Sequence, residues 1–356
     1  MVIKVIIRDY FTNLLPYLIA INTLYGFFFG KVSPMFREFL SEVPVPTAGL
    51  ALGIVALGKL IGSTLPAFEI ACASISALLI ALVTLKALVC RKQLAADLHQ
   101  SVQAAVFGTF FMTYMQLSSY IANVSLLAAQ IVWFAAVCGQ FVLMIWFTKE
   151  RILEFKLGDV FATWFVCYVG IIVGSVTSPT LHLTFVGQGL FWFGFIAYII
   201  LLFLVTARHA KLSLTAGAAP TFCIYAAPMS LSLAGYLAVY SNPNIVFVAV
   251  LEVLAQVLFV VVLTQLPKFL RAGFFPSYAA MTFPFVITAT ALQGAIQTLT
   301  SASISLPFAC TVLFYAETVF ALGMTTFVLF CFIRFFFQKI VALSESKASE
   351  TKPCLN

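Results

Sequence analysis

Lys and Arg residues in this chain fill alternate gaps between apolar stretches, a pattern that few folds can produce. Apolar windows bounded by charge, glycine or proline fall at about 46–64, 67–90, 103–121, 123–148, 159–178, 188–207, 219–240, 244–266, 277–299 and 308–337. Lys86/Arg91/Lys92, Lys149/Arg151/Lys156, Arg208/Lys211 and Lys268/Arg271 follow the second, fourth, sixth and eighth windows, while the loops after the odd windows carry no Lys or Arg. Lys31 and Arg37 precede the first window, and Arg334, Lys339, Lys347 and Lys352 end the series. All of these fall on one face, which the positive-inside rule makes cytoplasmic. The windows therefore predict ten transmembrane helices paired as five hairpins, with both ends of the unit inside. Odd helices run outward and even ones return.

Composition agrees. Of 356 residues, 63% are hydrophobic and 9% charged, with a mean hydropathy of +1.09, whereas about a quarter of a soluble chain is charged. This is an all-α polytopic membrane protein, in contact with membrane lipid along its spans. Soluble enzymes and nucleic-acid binders are excluded, and the surplus of 19 Lys+Arg over 12 Asp+Glu reads as orientation. The eight cysteines are scattered without a CxxC pair, so no metal site is expected. No P-loop, GxGxxG or HExxH occurs, and His99, His182 and His209 all lie in loops with no placed partner. We expect neither an enzyme nor a cofactor.

The chain divides into an N-terminal hydrophobic extension (1–42), a ten-helix transport domain (43–340) and a disordered cytoplasmic tail (341–356). Residues 10–30 are apolar, but a span there would separate Lys4/Arg8 from Lys31/Arg37 across the membrane. An interfacial or re-entrant segment is expected instead.

Odd windows are rich in small and hydroxyl residues, as in Gly49, Gly53, Gly58 and Gly62 of the first or Thr109, Thr113, Ser118 and Ser119 of the third. Close helix packing alone explains the Gly-x3-Gly spacings. Charges inside spans are costly and few. Lys59, near the outer end of the first helix, either draws anions to an outer mouth or snorkels to the interface. Glu252 and Glu317, on even helices, read as protonated or hydrogen-bonded packing residues rather than ion sites. Apart from Asp159 at the very start of the fifth, no odd window contains Asp or Glu, which disfavours proton coupling. If the odd helices surround one axis, five parallel N-termini converge on the cytoplasmic mouth and favour anions there. Pro228 and Pro284, inside the seventh and ninth windows, are expected to kink their helices. Phe283, beside the second of these, could plug a narrow conduit or be ordinary core.

These odd-helix residues carry a resemblance. VPVPTAGLALGIVALGKL in the first helix, FGTFFMTYMQLSSYI in the third, ATWFVCYVGIIVGSVTSP in the fifth, APTFCIYAAPMSLSLAGYL in the seventh and FFPSYAAMTFPF in the ninth occur in that order. Over roughly residues 43–340 the chain resembles the tellurite-resistance/C4-dicarboxylate transporter family, which includes bacterial TehA and the plant guard-cell slow anion channels. The resemblance implies five hairpins with quasi-fivefold symmetry, odd helices lining a central pore, a homotrimer, and a bacterial cytoplasmic (inner) membrane. It makes Phe283 the pore gate and small inorganic or organic anions the permeant partners. Gly53, Gly108 and Gly170 stand where the first, third and fifth helices lack an interior proline, and are pore-lining candidates. The expected function is a passive anion channel; the alternative is a secondary transporter, possibly proton-coupled, for C4-dicarboxylate, sulfite or tellurium oxyanions.

Overall fold

The computed structural model describes residues 33–271 and 273–350, the last five through their backbone alone. Residues 10–30 lie outside that range. The described residues are helical without strands, as a bilayer requires of a chain that must satisfy its own backbone groups.

Each apolar window forms helix. The even ones are long and continuous: Pro66–Val89, Leu126–Arg151, Thr184–Lys211, Ile245–Arg271 and Phe308–Glu350. The odd ones are shorter or interrupted. Thr47–Gly62 follows Pro34–Glu42 across a bend of 75°. Ser101–Val106 and Gly108–Ile121 are separated at Phe107. Thr163–Tyr168 and Ile172–Thr177 flank a 3-10 turn at Val169–Ile171. The seventh and ninth segments open as 3-10 helix, Ala219–Ala226 and Pro276–Met281, before the α-helices Ala227–Val239 and Phe283–Ser301. Among the described residues, seven helices are long and apolar enough to cross a membrane, and the bent pair makes an eighth. The interruptions are what keep the third and fifth windows below that length.

Packing sorts the segments by parity. Each odd segment packs on the next odd one and the ninth closes onto the first, while each even segment lies in the groove between two odd neighbours. Burial follows. Ala219–Val239 and Pro276–Ser301 are 78% and 72% buried over their apolar windows, whereas the even helices are only 22–44% buried. Leu78, Ile145, Ile200, Val257 and Phe330 are exposed on even helices, as lipid-facing side chains are.

Two expectations need correction. Pro228 and Pro284 do not kink α-helices from within: each lies in the first turn of an α-helix, starting at Ala227 and Phe283 respectively. A proline is tolerated there, since its fixed φ suits the first turn of an α-helix. The irregularity lies in the 3-10 turn before it. The described part of the tail also differs, since helix continues past 340 to Glu350; Val341–Leu343 and Glu345 favour it.

A broken helix leaves carbonyls to satisfy, and an even helix supplies the donor. Gln140, a buried amide in the fourth segment, donates through Nε2 to the carbonyls of Val166 (3.2 Å) and Cys167 (2.6 Å), just before the fifth segment's 3-10 turn. Gln140→Leu should cost about 1–3 kcal/mol by leaving those acceptors buried and unpaired. A fall in the thermal unfolding midpoint in detergent measures it, and an unchanged midpoint would deny the amide this role.

Candidate functional site

The interruptions fall at one level, and a cavity of about 60 Å³ lies there. Its wall draws on all five odd segments: Gly49 and Leu52, Val106 and Met112, Phe165 and Gly170, Ile224 and Leu231, Ala280 and Phe283, among others. Among the described residues, none of an even segment lines it, and no Asp, Glu, Lys, Arg or His does. Three hydroxyls reach the wall, and each is occupied. Thr109 donates to the Val106 carbonyl (2.8 Å), Thr221 to Ala218 (2.6 Å) and Ser277 to Gly217 (2.6 Å). At roughly 10–15 Å³ for each water, the space has room for a few waters but offers them little to bond.

Pro46, Val102 and Ser277 also line a second space, of about 580 Å³, on the side of the basic loops. This vestibule gathers the beginnings of the odd segments. The residues that cap four of them, Pro46, Gln100, Ala218 and Phe275, are on its wall, and Phe161 stands just before the fifth. Unbonded N–H groups at helix starts carry partial positive charge. The vestibule's own charged side chains largely cancel. Lys86 pairs with Asp97 at 2.6 Å and Glu42 with Lys339 at 2.6 Å. A nearby cation is Arg208, whose guanidinium lies 4.7 Å from the Phe161 ring centroid.

Phe283 is almost wholly buried and begins an α-helix directly after the irregular Thr282, with φ −105° and ψ −80°. Thr282 fixes that corner by donating to the carbonyls of Ala279 (2.7 Å) and Gly49 (3.3 Å). Gly53 faces the same corner: a Cβ there would come within 2.9 Å of the Phe283 nitrogen. Gly53 is therefore a seat for the ninth segment and is not on the cavity wall. Gly108 is not on the wall either, since a Cβ would meet Gln140 Nε2 at 3.0 Å and the Val166 carbonyl at 3.1 Å. Gly170 is on it, as is Pro284, and Pro228 lines it from the seventh segment. Lys59 lies apart, its Nζ 2.5 Å from Ser119 Oγ and 5.4 Å from the Tyr120 ring centroid.

Sequence reasoning passed over Gln140, the Lys86–Asp97 pair, and the aliphatic wall residues Leu52, Met112, Ile224 and Leu231. The first had a signal, as one of two amides, with Gln130, in an apolar helix. The aliphatic wall had none, because leucine and methionine facing a cavity read like leucine and methionine facing core.

The family model described as SLAC1, voltage-dependent anion channel, matches residues 42–336. No match is found among curated proteins.

Proposed function

Since the chain belongs to the SLAC1 family of voltage-dependent anion channels, we propose that it is a passive channel for small monovalent anions such as chloride or nitrate. Ten spans form five hairpins with quasi-fivefold symmetry, the odd members surround one axis, and the Phe283 ring closes it. Three copies assemble in a bacterial cytoplasmic membrane, with the basic loops on the cytoplasmic face.

One observation carries this reading: a single acid-free cavity walled by all five odd segments, opening toward a vestibule ringed by helix starts. An anion reaching the vestibule meets helix starts, and the two carboxylates there, Glu42 and Asp97, are each paired with a lysine. Deeper in, it meets an apolar wall too narrow for a hydrated ion, a barrier of sterics and dewetting. The same wall weighs against a carrier for dicarboxylates. A carrier needs fixed donors or cations to hold its substrate, and here the three hydroxyls are already bonded to carbonyls.

The test is the reversal potential of the reconstituted protein between asymmetric chloride solutions. We expect it to lie near the chloride equilibrium value and to follow the anion gradient when the cation is exchanged. A potential that follows the cation would remove the proposal, as would saturable flux requiring a pH gradient.

A further inference from the structure

Behind the ninth segment, away from the axis, the eighth and tenth segments bring two carboxyl groups together. Glu252 follows the start of its helix at Ile245, and Glu317 the start of its helix at Phe308, by similar distances. At 1.5 Å per residue both lie about 10–14 Å from those ends, at matching depth on the side away from the basic loops. Glu252 is 8% exposed and Glu317 3%. Gln256, one turn along from Glu252, donates through Nε2 to Glu252 Oε1 at 2.8 Å. Glu317 is brought to the same side, since the two helices meet one turn beyond Gln256 and Glu317, where the Phe259 and Phe320 rings lie 6.1 Å apart. The second oxygen of Glu252 and both oxygens of Glu317 are buried without a hydrogen-bond partner among the described residues.

The surrounding elements supply no countercharge. The seventh segment offers Cys223, Tyr225 and Tyr236 and the ninth offers Tyr278, but neither has a charged residue within 219–239 or 276–301. The tenth adds Cys310, Tyr315 and Cys331. Lys59 of the first segment is engaged with Ser119. Two ionised carboxylates here would repel each other in a medium that does not solvate either. One amide can donate two N–H groups at most and cannot satisfy four oxygens. A proton on the pair turns acceptor-only groups into a donor and its acceptor.

We infer that Glu252, Gln256 and Glu317 form a membrane-buried proton-binding site. The site takes up protons from water in two steps as pH falls, the steps belonging to the pair rather than to either residue. Close by, the Phe285 ring lies 5.9 Å from Phe259 and 5.0 Å from Phe320, centroid to centroid. A pH-responsive element thus stands against the helix that carries Phe283.

Infrared difference spectra of the full chain in lipid nanodiscs test this through the C=O stretch of protonated carboxyls and its shift in heavy water. Subtracting variant from wild type isolates the pair from the other acids. We expect a protonated-carboxyl band at neutral pH that is absent from Glu252→Gln/Glu317→Gln, and two titration steps that become one in either single variant. The amides keep shape and hydrogen bonding, and the single variants suffice should the double variant fail to fold. The inference is overturned if no such band exists at neutral pH, or if it survives in the double variant. It is equally overturned if the band emerges only when sodium and potassium are replaced by a large organic cation, which would make this a metal-cation site.

Discussion

Phe283→Ala should raise the anion conductance of the reconstituted protein about tenfold or more, the change produced by removing roughly 1.4 kcal/mol of barrier. The ring lies on the wall of a cavity of about 60 Å³ that has no charged side chain and whose three hydroxyls already donate to carbonyls. If this ring is the proposed gate, its removal widens an apolar passage and weakens dewetting there. Phe285→Ala is the control. That ring points behind the helix, between Phe259 and Phe320, so its loss should cost about 3–5 kcal/mol of stability without opening the axis. Chloride efflux from liposomes and single-channel recording read both variants. Equal conductance for wild type and Phe283→Ala would end the gate assignment, and a larger gain from Phe285→Ala would move the gate elsewhere.

Lys86→Met should destabilise the protein by about 3 kcal/mol. Lys86 is 2% exposed, and its ammonium donates to the Ser41 carbonyl (3.1 Å), the Val43 carbonyl (2.7 Å) and Asp97 Oδ2 (2.6 Å). These bonds tie the bend ahead of the first odd segment to the end of the second segment and to the short helix Arg91–Leu98. Removing one member of a buried pair typically costs about 3–5 kcal/mol, because the other charge is left without compensation. The lower end applies because Asp97 keeps 15% exposure to water. Lys339→Ala breaks the Glu42 pair, whose partners are 39% and 43% exposed, and should cost under about 1 kcal/mol. Thermal unfolding in detergent separates the two. Similar losses from both would mean that the vestibule's charges act as one surface network.

Much of this architecture could be read from the chain because the bilayer imposes two simple rules. Uninterrupted apolar length marks the even helices, and Lys86 to Arg271 mark one face of every hairpin. Small and hydroxyl residues marked the odd segments without naming their partners; in the structure Gly49 and Thr282 meet across the first and ninth segments. Local backbone form was harder. Pro228 and Pro284 signal an interruption but not its side, and only coordinates place the 3-10 turn ahead of each proline. The glycines divided for a similar reason. Gly53, Gly108 and Gly170 look alike in sequence, and all three accommodate a neighbouring segment, yet of these only Gly170 lines the cavity. Side-chain partners from distant segments, such as Lys86 with Asp97 or Gln140 with Val166, have no local pattern to reveal them.

The vestibule and the narrow cavity differ about tenfold in volume, 580 Å³ against 60 Å³, and this bears on where a membrane voltage drops. Electrolyte filling the wider space brings bulk potential deep into the bundle, so most of the field is compressed across the few residues around Leu52 and Phe283. A unit charge engineered at either position would feel much of the roughly 2.3 kcal/mol per 100 mV available across the whole bilayer. Rectification in a charged variant at Leu52 would then report how thin that insulating layer is.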